Sequence, residues 1–412
     1  MQIKRLPTDF LVEELLREPP GVTGAHTVYR LEKESIGTME AIADLARTLG
    51  VPPGSVAFCG LKDKHAKTAQ HVSIPDGPER AASGATWTAT PAGRRDRPLE
   101  TSDLAGNRFR IVLRDLERTQ AERVASRART FPGALPNYFD DQRFGSARGQ
   151  SDFIGRRLAL GDAEGALRLA LASPSADDDR RVRERRVALE KAWEDWKACV
   201  ALARDSSERR AFGHLAANPR DFAGAFDRIP RQLRALYLHA YQSYLFNRLL
   251  ADEVCSALGT SPCLEFPYLC GMLAFPDPDR PGSLDALRGV RLPLLGRQPP
   301  PEGTRTERLA ALLAEEGLPS GNVLRPHRKQ RAFFRSSARE ALVEIRGFSC
   351  VPHVPDDLHP KRRKLTLTFD LPPGCYATLV VRFLAWGFEG KRRSHPMRRG
   401  KPGAADGTIT NA

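Results

Sequence analysis

The sequence predicts an α+β protein with a mixed, mainly antiparallel sheet and a mostly helical insertion. Two observations support this fold class. Strand patterns occupy residues 1–150 and return after residue 341, while the block between them has mostly helical periodicity. Within the first block, strand-like and helical patterns alternate in a way that favours antiparallel pairing over βαβ winding.

The individual elements follow from periodicity and from turn residues. Apolar residues at helical spacing predict helices over 38–49, ended by Gly50 and Pro52, and over 233–249. Trp193 and Trp196 have the spacing of helix packing rather than of a base-stacking platform. Residues 276–304 are rich in proline and glycine and are predicted to form a loop. Strands are predicted at 10–15, 26–31, 55–60, 71–74, 109–114, 342–346, 365–369 and 377–381.

The charge balance indicates a polyanionic partner. The 412 residues, enough for two domains, contain 64 lysines and arginines against 50 acids, which gives a net charge of +14. Nucleic acid is the commonest partner for such an excess. Residues 361–412 contribute 11 basic and 3 acidic residues, so much of the charge belongs to the end of the chain. Residues 389–412 lack apolar side chains to bury and are predicted to be a disordered basic tail.

Several classes of protein are not supported. The seven cysteines form no C-x-x-C pair, are odd in number and follow no signal peptide, so reduced thiols in a cytoplasmic protein are expected. No apolar run reaches the roughly 20 residues of a membrane span. Phosphate-binding glycine loops are absent, which predicts no nucleotide cofactor. The histidines and Cys59 lack ligand partners at zinc spacing, so no metal is expected.

One charged segment is a candidate site. Asp63 lies between Lys62 and Lys64, just after a turn at Gly60. Neighbouring cations favour the ionised form of a carboxylate, and an ionised carboxylate can act as a nucleophile. A solvated charged turn is the plainer interpretation, since such turns are common. The segment alone leaves both interpretations open.

Residues 60–70, Gly-Leu-Lys-Asp-Lys-His-Ala-Lys-Thr-Ala-Gln, resemble the signature of the TruD family of tRNA pseudouridine synthases. Further segments resemble that family's motifs in the same order: KRLPTDFLVEE at 4–14, GNRF at 106–109, PNYFDDQRFG at 136–145 and LPPGCYAT at 371–378. Together the matches span residues 4–382. The chain departs from the family pattern at Cys59, Asp140, Tyr376 and Phe383, none of which changes Asp63.

The resemblance implies a pseudouridine synthase fold and a division of the chain. Residues 1–150 and 341–388 would together form a discontinuous catalytic domain, and residues 151–340 would be the family's own insertion. The reaction breaks the N1–C1′ bond of a uridine, rotates the uracil and rejoins it through C5. As an isomerisation it needs no cofactor. The family's usual target is the uridine at position 13 of tRNA.

The resemblance also assigns roles to individual residues. Asp63 would be the nucleophile, and Phe10, Asn107 and Tyr376 would contact the substrate nucleotide. Their plainer roles would be strand core, turn former and half-buried aromatic. Phe109 fits substrate contact and core packing equally. The residues expected to support the site are Lys4, Lys62, Gln70, Gln142 and Arg143.

Two alternatives remain open in the sequence. The chain could be a non-catalytic RNA-binding or RNA-folding protein on the same fold, or it could carry out the same reaction on another RNA. Lys4 could meet a phosphate or be a solvated lysine. Which of Lys62 and Lys64 faces Asp63 is not decided by the sequence.

Overall fold

The computed structural model describes residues 1–64, 66–147, 152–175, 178–318, 324 and 334–388, so the predicted tail at 389–412 lies outside the described residues. The strands are β1 Phe10–Leu16, β2 His26–Glu34, β3 Ala57–Phe58, β4 Lys67–Pro75, β5 Ala82–Ser83, β6 Trp87–Arg95, β7 Leu104–Leu116, β8 Ala134–Pro136, β9 Cys263–Tyr268, β10 Gly271–Pro276, β11 Arg291–Leu294, β12 Ser337–Glu340, β13 Leu342–Glu344, β14 Arg346–Pro355 and β15 Arg363–Leu371. The helices are α1 Thr38–Leu49, α2 Arg118–Arg129, α3 Ile154–Ala159, α4 Ala163–Leu171, α5 Arg180–Lys191, α6 Trp196–Leu202, α7 Ser206–Ala217, α8 Phe222–Phe226, α9 Arg231–Leu258, α10 Leu309–Glu315 and α11 Ala377–Leu384.

A large mixed sheet is the central element of the described chain. Its strand order is β14-β15-β7-β1-β4-β2-β6-β5, with β3 paired to β4. The pair β1–β4 is parallel, and the other pairs of this sheet are antiparallel. The predicted α+β class with a mainly antiparallel sheet is therefore confirmed.

Strands from both ends of the chain share this sheet. β15 pairs with β7 along its whole length, with Leu371 opposite Asn107 and Phe369 opposite Phe109. β14 then adds to the free side of β15. Helices α3 to α10 lie between these strands in the sequence, and β9–β10 and β11–β12 form small separate sheets.

The sheet has one buried and one more exposed face. Side chains alternate along each strand, so Val12, Phe109, Ile111 and Leu367 are buried on the same face. Arg110, between two of them in β7, is exposed on the opposite face. Helix α2 packs against β7, β14 and β15 and covers part of the sheet.

The long helix α9 confirms the prediction over 233–249 and extends it to Leu258. It packs against α3, α10, β10 and β11. Trp196 is buried and meets Trp193 edge to face, with ring centroids 5.3 Å apart. This contact confirms packing as the role of the pair, although Trp193 lies before α6 rather than within it.

Three predictions of local structure were wrong. Residues 377–381 form the start of helix α11 instead of a strand, because a short apolar run does not distinguish a buried helix from a strand. The strand predicted at 55–60 shrinks to Ala57–Phe58 after a 3₁₀ turn. The loop predicted at 276–304 contains β11, which pairs with β12.

The expectation that all cysteines are reduced was also wrong. Cys255, in the last turns of α9, forms a disulfide with Cys263 at the start of β9. The chain reverses direction between them, which brings the two Cα atoms to 5.6 Å. None of the helices in the described ranges is long and apolar enough to cross a membrane.

Candidate active site

The loop that carries Asp63 is held by side chains from three directions. At the start of α1, the Thr38 hydroxyl accepts a hydrogen bond from the Lys62 backbone N–H (2.9 Å) and donates one to Gln70 Oε1 (3.1 Å). The Gln70 amide in turn donates to the Gly60 carbonyl (3.4 Å). Thr38 and Gln70 are both buried, so their hydrogen bonds attach this side of the loop to the protein interior.

Lys33 is a second anchor that the sequence analysis missed. Its side chain is buried, and its ammonium group donates to the backbone carbonyls of Asp63 (2.8 Å), Ile36 (2.9 Å) and Lys62 (3.5 Å). Burial lowers the pKa of Lys33, and the nearby Asp63 charge opposes that shift. A signal was present in the sequence, because Lys33 follows Tyr29 and Leu31 at the inward-facing positions of β2.

Lys62 makes the third attachment, to Glu14 of β1. The two side chains are buried and their charged atoms lie 2.7 Å apart. Glu14 also accepts a hydrogen bond from the backbone N–H of His71 (2.8 Å). Burial would raise the pKa of Glu14, but the bonds from His71 and the charge of Lys62 outweigh it, and the pKa is lowered. Lys62 therefore holds the loop and does not face Asp63.

The side chain of Asp63 is 41% exposed and is paired with Lys4. The Lys4 ammonium group donates to Asp63 Oδ2 at 2.9 Å and lies 4.1 Å from the centroid of the Phe10 ring. Lys64 points elsewhere, toward Glu40 at 3.5 Å. The cation that pairs with the Asp63 carboxylate is therefore Lys4, and not Lys62 or Lys64, its neighbours in the sequence.

Phe10, Asn107 and Phe109 lie on the same face of the sheet. In the β1–β7 register, Val12 faces Phe109 and Glu14 faces Asn107. The Phe10 and Phe109 rings meet edge to face at 6.1 Å, and Phe109 is buried, so it contributes to the core.

Asn107 stands out as a polar group without a hydrogen-bond partner. Its Oδ1 atom is buried and accepts no hydrogen bond from any described residue. The glycine before it is required, because a Cβ on Gly106 would lie 2.5 Å from the Leu371 carbonyl oxygen. This close approach places Leu371, the last residue of β15, beside Asn107. The segment that follows β15 leads to Tyr376.

Tyr376 is half-buried at the start of α11, with its ring centroid 6.1 Å from that of Phe139. Burial raises the pKa of Tyr376, so the phenol is neutral at neutral pH. Asp140 holds the helix that follows, since it accepts hydrogen bonds from Thr378 and from Arg382 (2.6 Å). Phe383, another departure from the family pattern, is buried against Phe131 and Phe275.

The remaining predicted residues, Gln142 and Arg143, lie in the short 3₁₀ helix Asp141–Phe144. Arg143 donates to the Ser243 hydroxyl (3.1 Å) and lies 5.3 Å from the Phe139 ring centroid. Gln142 is exposed, and its side chain makes no hydrogen bond within the described ranges. Neither residue contacts Asp63 directly in the described part of the chain. Arg339, which the sequence analysis missed, joins the backbone of Asn137 to that of Gly374.

The described residues contain no group of three or more histidine, cysteine, aspartate or glutamate side chains that could hold a metal ion.

A family model described as tRNA pseudouridine synthase D (TruD) matches residues 1–263. The chain belongs to this family. The enzyme is therefore an RNA pseudouridine synthase, which is an isomerase. The tRNA pseudouridine synthase D of Aquifex aeolicus is 28% identical, over 93% of this chain and 98% of its own length. A relative from Methanopyrus kandleri is 31% identical, over 91% and 89%.

The fold agrees with that assignment. A TruD crystal structure from Methanosarcina mazei superposes with a TM-score of 0.70 at 25% identity and covers 93% of both chains. The segments that carry the sequence resemblance meet in this fold: 4–14 supplies Lys4 and Phe10, 60–70 supplies Asp63, and 106–109 supplies Asn107.

Proposed function

We propose that this enzyme converts a uridine of tRNA to pseudouridine, with Asp63 as the nucleophile. One observation carries the proposal: Asp63 is an accessible carboxylate beside Lys4 and Phe10, on a loop fixed from beneath by buried polar side chains. A nucleophile held in this way keeps its position without closing the site to substrate. The names of the relatives support tRNA as the substrate, and the resemblance supports position 13 as the target.

The neighbouring residues suit the steps of the reaction. The target base must first leave its stack, which costs a few kcal/mol. Asp63 then attacks the sugar or C6 of the base, the N1–C1′ bond breaks, C1′ joins the rotated uracil at C5, and the bond to Asp63 breaks again to release its carboxylate. The proton lost from C5 is balanced by one gained at N1, so the product is an isomer. Phe10 and Tyr376 would hold the detached ring by stacking.

Asn107 would read the edge of the base. Its buried Oδ1 accepts no hydrogen bond from the described chain and can accept one from a uracil N–H. An unpaired buried acceptor costs roughly 1–3 kcal/mol, and substrate binding would remove that cost. The same requirement gives preference for a base that presents a donor at this position.

The division into domains is also part of the proposal. Residues 1–150 and 341–388 would form the catalytic domain, and 151–340 the insertion that contributes to the choice of RNA. The pairing of β15 with β7 supports joining the two ends of the chain.

The test is pseudouridine mapping on unmodified tRNA transcripts incubated with the purified enzyme. Asp63→Asn should lower the rate by at least about 10³-fold, because the amide is a poor nucleophile. It should leave tRNA binding unchanged or tighter, because a negative charge facing phosphate is removed. Asp96→Asn is the matched control, since Asp96 is exposed and makes no ion pair in the described ranges.

Two results would contradict the proposal. Pseudouridine formed by the Asp63→Asn enzyme at the normal rate would exclude Asp63 as the nucleophile. An intact enzyme that binds tRNA but modifies none would favour a binding protein or another RNA substrate.

A further inference from the structure

Two arginines approach the ring of Phe139 without an acidic partner. The guanidinium carbon of Arg339 lies 4.3 Å from the ring centroid and that of Arg143 lies 5.3 Å from it. Both side chains are half-buried, and neither forms an ion pair with an acidic residue within the described ranges. The buried arginines Arg114 and Arg127, by contrast, are each paired with aspartates.

The charge of this pair is not compensated by the protein around it. Burial lowers the pKa of Arg339, and the Arg143 charge acts in the same direction. The nearby carboxylate of Asp140 is buried and is already occupied by Arg382 and Thr378. Burial and Arg143 also lower the pKa of His239, so this histidine is neutral at neutral pH. Arg143 and Arg339, two half-buried cations over the Phe139 ring, therefore form a positively charged site that can attract an anion.

The guanidinium groups are oriented and still have free donors. Arg339 donates to the carbonyls of Asn137 (2.9 Å) and Gly374 (3.1 Å) and to the Asn137 side chain. The Arg143 guanidinium uses one of its five N–H groups, to Ser243, and the other four have no partner among the described residues. A fork of donors held in a fixed plane matches the oxygens of a phosphate.

This pair also lies beside the proposed base-binding site. Gly374, which Arg339 holds, is two residues before Tyr376, and the Tyr376 ring contacts the Phe139 ring on which both cations lie. We infer that Arg143 and Arg339 form a phosphate-binding site for the RNA backbone next to the target uridine. The inference rests on the proposed function for the identity of the ligand. It assigns to these residues the task of holding the sugar–phosphate chain while the base is out of the stack.

The experiment is the salt dependence of binding to an unmodified tRNA transcript. A single lost phosphate contact reduces the slope of log K against log salt by about 0.7 for single strands and 0.9 for duplex. Arg143→Gln should show this reduction, with a raised KM and a nearly unchanged kcat. Arg143→Lys should restore the slope, because it retains the charge. Arg110→Gln is the control, since Arg110 is exposed on the opposite face of the sheet and should leave the slope unchanged.

A second measurement identifies the phosphate. In tRNAs with one neutral methylphosphonate linkage beside the target uridine, binding by the intact enzyme should weaken by the same factor that Arg143→Gln causes. The Arg143→Gln enzyme should be insensitive to that linkage.

Two outcomes would overturn the inference. One is an Arg143→Gln enzyme that loses activity with an unchanged salt slope. The other is an intact enzyme for which no linkage flanking the target matters, and this result does not depend on the folding of any variant. Because the salt slope is measured from binding and not from turnover, a reduced slope without pseudouridine formation would count against the proposed function and not against the phosphate site.

Discussion

Three of the lysines near Asp63, in the sequence or in space, have different tasks. Lys4 pairs with the Asp63 carboxylate, Lys62 is buried against Glu14, and Lys33 is buried against backbone carbonyls, including that of Asp63. The charge that faces the carboxylate and the charges that fix its loop therefore come from separate residues. This separation allows Asp63 to remain accessible while its backbone is rigid.

Replacing Lys33 by methionine tests the importance of the anchor. Methionine keeps most of the volume but leaves the carbonyls of Ile36 and Asp63 without the ammonium donor of Lys33. Each unsatisfied buried acceptor costs about 1–3 kcal/mol, and the loop should shift to recover solvent contact. We expect a lower free energy of unfolding and a kcat reduced by about 10-fold or more, because small displacements of a nucleophile are costly.

The control is Lys64→Met, which removes an exposed lysine from the same loop and should change stability by less than about 0.5 kcal/mol. Denaturant unfolding and single-turnover kinetics measure both effects. A Lys33→Met enzyme with normal kcat would show that the loop does not need this anchor.

At the scale of elements, helix α11 depends on an ion pair that the sequence analysis did not anticipate. Asp140 is one of the departures from the family pattern, and its buried carboxylate accepts hydrogen bonds from Thr378 and Arg382. Asp140→Asn should lower the free energy of unfolding by about 1–3 kcal/mol, because it leaves a largely buried arginine unpaired. It should also raise KM for tRNA, since Tyr376 lies immediately before α11.

The matched comparison is Asp285→Asn, which breaks an exposed pair with Arg288 and should change the free energy of unfolding much less than Asp140→Asn. The denaturation midpoints of the two variants measure this difference in stability. Equal midpoints would mean that Asp140 is not an anchor of α11.

The sequence predicted elements well wherever local signals and tertiary packing agree. Helix α1 has the predicted bounds, because a glycine precedes it, a glycine ends it and its apolar face is buried. The run at 377–381 lacks such signals, and the burial of Leu379, Val380 and Val381 suits a helix as well as a strand.

The same limit applies to the site. Asp63 was found from its motif, but Lys33 and Arg339 were not, because they contact other segments through backbone carbonyls. Only the three-dimensional pairing of β2 with β4, and of residue 339 with residue 137, brings these groups together.

At the scale of the whole molecule, Arg114 connects segments that are far apart in the sequence. It donates to Asp9, immediately before Phe10, and to Asp356 and Asp357 in the turn between β14 and β15. The N-terminal segment, β7 and the C-terminal strands therefore share one largely buried charge network. Its integrity should influence the position of Phe10, and with it the base-binding site.

This network makes stability dependent on pH in a predictable direction. Burial alone would raise the pKa of Asp356, but the backbone N–H groups of Asp115 and Leu358, with His359 and Arg114, lower it to about 2. A carboxyl group whose pKa is lower when folded stabilises the protein above its unfolded value, near 3.8, and loses that contribution as pH falls through the folded value. A shift of this size corresponds to a stabilisation of about 2 kcal/mol at neutral pH.

The predicted pH dependence can be tested by urea unfolding between pH 7 and pH 2. The intact enzyme is compared with Asp356→Asn. Above about pH 5 the difference in free energy of unfolding should be constant, with the variant less stable. Between about pH 5 and pH 2 the curves should converge by about 2 kcal/mol, since only the intact enzyme has a carboxylate at position 356 that becomes protonated. A difference that stays constant to pH 2 would show that the charge of Asp356 does not hold the ends of the chain together. In that case the hydrogen-bond geometry around Arg114, which asparagine partly preserves, would be the stabilising feature.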